Sequence, residues 1–387
     1  MAASPAPARI TNLLRNVRGG GLPQPPRPDG RLVWLHLPAA FPPDAISALQ
    51  GALEDTHVLF TSTGPLPEGD LFQPLPVLRK AQLDQFLQHW QPDLLLWGAP
   101  ENGLPVVRRA KKAGIKMLLA DLSAQGLSLS LRGRLLAEFL LSFEQIFTEK
   151  VADAARLEKL DIQAERVVAC KPLSQIAAPP AENEAMLRRV SAALGPRPVW
   201  CAVAVSRGEI GALLVAHRYA QRAFPNLLLV VLPRAACDVI AARITEDGWR
   251  LGPASGVHMP DKQDEVLLAE DMADFGTWMQ LAAVSYMGGS LYGPEAADPF
   301  PAVSVGSAIL CGPFFTPYES RYVPLSQAGA LSLADTNGVL PAKLVAALAP
   351  DAAAQLAMKA WNVGSDGADA VLTLARGISA ALEKGAS

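Results

Sequence analysis

The chain has 387 residues, enough for two domains of ordinary size, and half of its residues are hydrophobic. Its 34 basic and 37 acidic residues nearly cancel, which excludes the basic footprint of a nucleic-acid-binding protein. The four cysteines are far apart and form no CxxC pair, so we expect reduced thiols, no disulfide framework and no metal site.

Residues 1–30 predict an N-terminal amphipathic segment followed by a linker. Apolar residues recur at helical spacing in "ARITNLLRNVRG", with arginines between them. Such a helix either lies on an anionic membrane surface or packs on its own domain or a partner. Residues 19–30, "GGGLPQPPRPDG", have the composition of a linker. No run of about twenty apolar residues occurs and the start lacks a secretory signal, so we predict no transmembrane helix.

Strand-like and helix-like segments alternate from residue 31 onward. "RLVWLHL", "THVLFTST", "PDLLLWG" and "KMLLADLS" predict strands, and amphipathic segments between them predict helices. Residues 131–160 look largely helical, and "ERVVAC" returns to a strand. This alternation predicts a parallel sheet covered on both faces, in a first Rossmann-like domain over residues 31–178.

A second domain of the same type is predicted over residues 179–350. "PVWCAVAV", "NLLLVVLP", "VSYMGG" and "AILCGP" predict strands, with helices such as "EIGALLVAHRYAQRAF" between them. Ala-rich helices over residues 351–387 close the structure. The fold class is therefore α/β, with two doubly wound domains facing a cleft, and ligands are expected where strand order reverses.

Two short segments of the second domain favour binding of an anion. Ser206-Arg207-Gly208-Glu209 forms a turn between a strand and a helix, which brings backbone N–H groups and the helix dipole to one place. Arg207 and Arg234 can each pair with a phosphate or a carboxylate. The alternative for Arg207 is a solvated residue at the start of a helix.

The stretch from residue 284 to residue 313 contains Gly288, Gly289 and Ser290 directly after a buried strand. Glycines there would let a nucleotide approach the backbone, although a plain turn explains them equally well. Asp271 and Asp274 precede a predicted helix and can be simple helix caps.

These segments resemble the Kdo transferases, GT-B glycosyltransferases that move 3-deoxy-D-manno-octulosonic acid (Kdo) from CMP-Kdo onto a lipid A precursor. The family's "EGE" turn resembles residues 206–209, its "VPRHPER" resembles Pro233-Arg234, its "DTMGELG" resembles residues 270–276 and its "FVGGSL" resembles residues 286–291. The resemblance implies an N-terminal acceptor-side domain and a C-terminal domain for the nucleotide sugar. The implied donor-binding residues are Ser206, Arg207, Gly208, Pro233, Arg234, Met272, Asp274, Gly288, Gly289, Ser290 and Asp298.

The chain departs from the family pattern at the residues that carry chemistry. The family's "SVGE" turn supplies a carboxylate that resembles a general base, but residues 37–42 here contain no acid. We consider Glu101 the preferred replacement, then Asp121, with Asp44 as a further candidate. His36 ends a buried strand and is interpreted as a packed core residue rather than a base. Pro301 stands where the family has the glutamate that holds the donor ribose.

Three functions remain open from the sequence. The first is a divergent Kdo transferase-like enzyme without a cofactor, using a CMP-sugar as substrate and an anionic lipid as acceptor. It would attach peripherally to the cytoplasmic face of the inner membrane, or lie in the cytoplasm. The second is a catalytically silent relative that binds a nucleotide or a partner transferase. The third is another enzyme on the same fold, such as a nucleotide-sugar epimerase.

Overall fold

The computed structural model describes most of the chain, in two compact units. One unit runs up to Ser174 and takes in the residues from Gly367 onward, and the other consists of Gln175–Asp366. The described residues are 25–37, 43–62, 71–75, 80–98, 103–120, 134–149, 157–180, 183–235, 237–253, 259–269, 274–335 and 338–384.

The first unit contains a seven-stranded parallel sheet. Its strands are β1 (Arg31–Leu37), β2 (Thr56–Ser62), β3 (Phe72–Pro74), β4 (Leu94–Trp97), β5 (Lys116–Leu119), β6 (Gln145–Thr148) and β7 (Val167–Ala169). They lie in the order β3-β2-β1-β4-β5-β6-β7. The central strands are apolar almost throughout because helices cover both faces of a parallel sheet.

The helices of the first unit follow the apolar periodicity of the sequence. They are α1 (Pro43–Ala52), α2 (Lys80–Trp90), α3 (Leu104–Lys112) and α4 (Arg134–Leu140), with a short 3-10 helix over Ala164–Arg166. In α2 the buried residues Leu83, Phe86, Leu87 and Trp90 recur three or four positions apart, which places them on one face.

The prediction of a largely helical segment over residues 131–160 is wrong at β6. Gln145–Thr148 form a strand that pairs with both β5 and β7, and Ile146, Phe147 and Thr148 are buried. Three consecutive β-branched or aromatic residues, Ile146, Phe147 and Thr148, fit a buried strand better than the end of a helix. Apolar residues on both sides of β6 hid the change from the helical to the strand spacing of apolar residues.

The second unit repeats this design. Its strands are β8 (Val199–Val205), β9 (Leu228–Pro233), β10 (Leu251–Pro253), β11 (Val266–Leu268), β12 (Val284–Met287), β13 (Ala308–Cys311) and β14 (Leu331–Leu333). The sheet order is β10-β11-β9-β8-β12-β13-β14, and all of its pairs are parallel. The structure thus confirms the predicted class of two parallel, doubly wound sheets.

The helices of the second unit connect these strands, and one long helix follows them. They are α5 (Glu184–Leu194), α6 (Ile210–Ala220), α7 (Cys237–Glu246), α8 (Phe275–Leu281), α9 (Phe300–Ser304), α10 (Glu319–Gln327), α11 (Leu340–Leu348) and α12 (Pro350–Glu383). Residues of α12 up to Asp366 belong to the second unit, and those from Gly367 belong to the first.

In both sheets the strand order reverses next to the first strand. The reversal lies between β1 and β4 in the first unit and between β8 and β12 in the second. Strands on the two sides of such a point send their following segments in opposite directions, which leaves a crevice at the carboxyl ends. None of the helices in the described parts of the chain is long and apolar enough to cross a membrane.

Candidate functional site

The reversal point of the second sheet brings together the two segments that the sequence singled out. Strand β8 continues into Ser206-Arg207-Gly208-Glu209 and then α6, while the neighbouring β12 continues into Gly288-Gly289-Ser290. Both segments leave the same carboxyl edge of the sheet. We call them the serine turn (residues 206–209) and the glycine turn (residues 288–291).

A buried carboxylate, that of Glu209, joins the two turns. Its Oε2 accepts hydrogen bonds from Ser206 N at 3.1 Å, Ser206 Oγ at 2.8 Å and Gly289 N at 2.7 Å. Its Oε1 accepts from Tyr286 Oη at 2.7 Å and Leu291 N at 3.1 Å. Glu209 has no solvent exposure, so these five donors replace the water that the carboxylate loses. The shape of the crevice therefore depends on this one side chain.

The phenol of Tyr286 remains a donor in this network. Burial of the ring raises the pKa of Tyr286 far above its usual value, and the adjacent Glu209 carboxylate raises it further. The hydroxyl thus stays protonated at any physiological pH and keeps donating to Glu209.

The glycines of the glycine turn are required by contacts within the protein. A Cβ on Gly288 would lie 2.5 Å from the carbonyl oxygen of Ala204, and one on Gly289 would lie 1.9 Å from that of Glu295. Gly289 also has a φ of +73°, which disfavours other residues. On the opposite strand Ala204 has a φ of +51° at an irregularity in the pairing of β8 with β9. The backbone at Gly288 lies too close to β8, and the backbone at Gly289 too close to Glu295, for either residue to carry a side chain.

Ser290 is fully buried and its hydroxyl is occupied by the protein. The hydroxyl donates to the carbonyl oxygen of Met287 and accepts from Gly312 N at 2.8 Å. Its position fixes the glycine turn against the end of β13. A contact between Ser290 and a sugar nucleotide stays a prediction.

Two exposed arginines lie at this edge, beside the exposed side chains of Tyr292 and Glu295. Arg207 and Gly208 are exposed in the serine turn, before the start of α6. Pro233 ends β9 and is buried, and the exposed Arg234 that follows donates from Nη2 to the carbonyl oxygen of Glu295. That bond ties Arg234 to the segment after the glycine turn. The two arginines and the N–H groups at the start of α6 can together bind an anionic group.

Asp298 is engaged by its neighbours. Its Oδ1 accepts from Phe300 N at 3.0 Å at the start of α9, and its Oδ2 accepts from Arg321. The guanidinium of Arg321 also donates to Gln175 and lies 4.9 Å from the centre of the Phe300 ring. Asp298 therefore helps to order the segment between β12 and β13.

The other predicted donor residues are Asp274 and Met272. Asp274 is 8% exposed and precedes the first residue of α8, where its side chain makes no capping hydrogen bond. Met272 lies outside the described residues. No group of three or more His, Cys, Asp or Glu side chains among the described residues is placed to hold a metal ion.

Of the three predicted catalytic acids, only Asp44 falls within the described residues. It is exposed in the first turn of α1. Glu101 and Asp121 lie outside the described residues, so their roles stay predictions.

His36, at the carboxyl end of β1, is fully buried, as the sequence predicts. Its Nδ1 lies 3.0 Å from Thr61 Oγ1, and its ring packs on that of Trp97 with a centroid distance of 4.2 Å. Burial lowers the pKa of His36 to about 4, against a smaller opposing effect of a hydrogen bond to the backbone of Thr61.

Comparison with known proteins relates the chain to one family. Residues 21–174 match the family model described as 3-deoxy-D-manno-octulosonic-acid transferase (kdotransferase). A probable mitochondrial 3-deoxy-D-manno-octulosonic acid transferase of Arabidopsis thaliana is 22% identical, over 84% of this chain and 78% of the plant protein. The chain is therefore similar to the Kdo transferases, through the family model over residues 21–174 and the plant relative over both units. A 3-deoxy-D-manno-octulosonic acid transferase of Haemophilus influenzae is 24% identical over 34% of this chain and 32% of that protein.

Similar solved structures include a Kdo transferase domain and an epimerase. The C-terminal CMP-Kdo binding domain of WaaA from Acinetobacter baumannii aligns with a TM-score of 0.43 and 20% identity, over 47% of this chain and 98% of that domain. UDP-GlcNAc 2-epimerase from Neisseria meningitidis aligns with a TM-score of 0.41 and 13% identity, over 91% of this chain and all of that one.

Sequence reasoning missed the role of Glu209. The residue was noticed within the serine turn but was not predicted to belong to the site. Its spacing from Ser206 is that of a capping box, in which a glutamate reaches back to the backbone N–H three residues earlier. That signal predicts the bond to Ser206 N, but the bonds to residues 286–291 require the folded sheet.

Proposed function

We propose that the chain is a glycosyltransferase that moves Kdo or a related sugar from a CMP-activated donor to an acceptor of the lipid A precursor type, in lipopolysaccharide synthesis. The observation that carries the proposal is the reversal point of the second sheet, where Glu209 holds two turns together beneath exposed arginines. The family relationship, which covers both units through the plant relative, supports the same assignment.

The donor has the chemistry that this edge favours. A CMP-sugar of the Kdo type carries a phosphate and a carboxylate, and either group suits Arg207, Arg234 and the N–H groups at the start of α6. Cytidine would lie along the glycine turn, close to Asp298. Because the donor is already activated, the proposed reaction needs no cofactor.

The acceptor is proposed to be an anionic lipid bound by the first unit. A lipid acceptor requires that the enzyme work at a membrane surface, so we propose peripheral attachment at the cytoplasmic face of the inner membrane. Fractionation of cells, with a salt wash of the membranes, tests this part of the proposal. Release of the protein by salt is expected for electrostatic attachment.

Calorimetric titration with CMP, CDP, UDP and GDP tests the donor assignment. We expect selective binding of CMP, and a loss of about tenfold or more in affinity in Arg234→Ala, because a charge-assisted contact to the nucleotide disappears. The control is Arg188→Ala, which removes an exposed arginine of α5 that pairs with Glu184 on its own helix. Equal weakening by both substitutions, or no binding of any nucleotide, would contradict the proposed donor site.

A second candidate is a catalytically silent relative that binds the nucleotide or a partner transferase. It is favoured by one observation: Pro301 occupies the place of the donor-ribose glutamate, in the first turn of α9. Release of CMP from CMP-Kdo in the presence of a lipid A precursor separates the two functions. Binding of CMP without acceptor-dependent release would favour the silent relative, whereas selective binding of UDP would favour an epimerase.

A further inference from the structure

Three polar or aromatic side chains form a row at the reversal point of the first sheet. Thr61 of β2 is opposite His36 of β1, and His36 is opposite Trp97 of β4. Residues in register on adjacent parallel strands point to the same face, and these three lie at or next to the carboxyl ends of their strands. The row therefore occupies the edge at which a doubly wound sheet binds its ligand.

The row contains two buried nitrogen atoms without a hydrogen-bond partner. They are Nε2 of His36 and Nε1 of Trp97, whose side chains are 0% and 1% exposed. A buried nitrogen without a partner is unfavourable, and two in contacting rings at a reversal point require an explanation. Trp90 in the same core also has an unpaired indole N–H, so what distinguishes Trp97 is its contact with the unpaired ring of His36 at the carboxyl ends of the strands.

The bonds around Thr61 indicate which proton His36 carries. The indole N–H of Trp34 can only donate, and it donates to Thr61 Oγ1 at 2.8 Å. The Thr61 hydroxyl directs its own hydrogen towards the carbonyl oxygen of Leu35 at 3.5 Å. We assign the proton of His36 to Nδ1, which then donates to the remaining lone pair of Thr61 Oγ1; the roles of the two atoms follow from this choice of tautomer. In this arrangement Nε2 of His36 presents a bare lone pair.

We infer that His36 and Trp97 bind a hydroxyl group of the acceptor. A lone pair on Nε2 and an N–H on Nε1, in rings 4.2 Å apart, complement an alcohol, which has one hydrogen to donate and an oxygen that accepts. The inference rests on the proposed function, since a sugar hydroxyl is the attacking group in that reaction. His36 and Trp97 would then orient the acceptor in the first unit, whereas the proposed donor turns belong to the second unit.

The electrostatics of the ring agree with this role. Burial keeps His36 uncharged at neutral pH, so its Nε2 accepts a hydrogen bond without becoming a cation. A group so reluctant to take a proton orients the hydroxyl rather than deprotonating it.

The indole N–H resonances provide a direct test, because the chain has seven tryptophans. A lipid A precursor in detergent micelles is added to the full-length protein, and empty micelles serve as the blank. We expect the Trp97 resonance, assigned through Trp97→Phe, to shift with the precursor. The Trp90 resonance, which comes from another buried indole without a partner, is expected to stay in place.

A matched pair of variants separates function from structure. Trp97→Phe and Trp90→Phe each replace a buried, unpaired indole by a smaller ring. We expect Trp97→Phe to weaken binding of the precursor about tenfold or more, and Trp90→Phe to leave that binding unchanged. Neither should change CMP affinity, because the proposed donor site lies in the second unit, and urea unfolding of the two variants shows whether the first unit is folded.

The outcomes are distinct. A buried water that satisfies both nitrogens would make Trp97→Phe less stable than the wild type without changing precursor affinity, and this would overturn the inference. Equal effects of the two variants on precursor affinity would overturn it as well. If no nucleotide binds but the Trp97 resonance shifts with the precursor, the donor assignment fails and the hydroxyl site stands.

Discussion

The reversal points of the two sheets differ in how their buried polar groups are satisfied. In the second unit the carboxylate of Glu209 receives five hydrogen bonds, and the hydroxyls of Tyr286 and Ser290 are also paired. In the first unit His36 and Trp97 keep one unpaired nitrogen each. The arrangement in the second unit is complete without a ligand, whereas the arrangement in the first unit leaves hydrogen-bonding capacity unused.

The carboxyl edges of the two sheets therefore use their buried polar groups in different ways. In the second unit the buried polar groups fix the shape of the backbone, and the exposed arginines are the groups proposed to bind the donor. The row in the first unit carries the cost of unpaired groups in the free protein, which a bound hydroxyl would remove. Substitutions should therefore harm stability at one edge and ligand binding at the other.

The largest expected effect is that of Glu209→Gln. The amide nitrogen of glutamine would face N–H or O–H groups that now donate to a carboxylate, so at least one buried donor loses its acceptor. We expect a loss of about 4 kcal/mol in the free energy of unfolding of the second unit, measured in urea. Exposed Glu184→Gln is the control. A loss below about 1 kcal/mol would show that the turns hold their shape without the charge.

The free energy of unfolding should also depend on pH, because each unit contains a buried histidine. Burial lowers the pKa of His36 to about 4 and that of His217 to about 3, both from 6.5. Below pH 6.5 the unfolded chain binds protons that the folded chain does not, so stability falls as the pH falls towards 4. Each histidine then costs about 3 kcal/mol at pH 4.

Urea unfolding between pH 7 and pH 4 measures this slope. His36→Gln should remove the contribution of one proton in the first unit, while the same substitution at exposed His57 is the control. An unchanged slope in His36→Gln would mean that His36 is not held neutral in the folded protein.

A smaller effect is expected from Gly289→Ala. The new methyl group would meet the carbonyl oxygen of Glu295, and the φ of +73° disfavours alanine, so we expect a loss of about 2 kcal/mol. Gly293→Ala lies four residues further along, where a Cβ meets nothing within 4 Å, and should change stability by less than about 0.5 kcal/mol. Thermal unfolding of the two variants gives the contrast. Equal melting temperatures would refute the tight packing of the glycine turn.

Much of the fold could be predicted from the sequence. The strand segments "RLVWLHL" and "AILC" are mostly apolar, and they form β1 and β13 at the predicted positions. The three-residue edge strands β3, β10 and β14 were not predicted, because so short a segment shows no alternation. Strand β6 was missed for the related reason that apolar residues surround it.

The candidate site could be predicted only in its local parts. The serine turn and the glycine turn are visible as motifs, and both lie at the reversal point. Two features depend on the folded sheet: the glycines of the glycine turn face the protein's own backbone, and Glu209 reaches across 80 positions to Gly289. The unpaired nitrogens of His36 and Trp97 likewise become visible only in three dimensions.

The division of α12 between the two units bears on synthesis of the protein. The second unit is one continuous stretch of chain, so a ribosome can release it whole and it can fold at once. The first unit begins earlier yet is completed later, because Ala381 accepts a hydrogen bond from Lys116 and Gly377 packs on Phe147. We therefore expect the N-terminal fragment ending at Ser174 to be unstable when expressed alone, and a circular permutant that joins residues 367–384 to it to be the smallest form that folds.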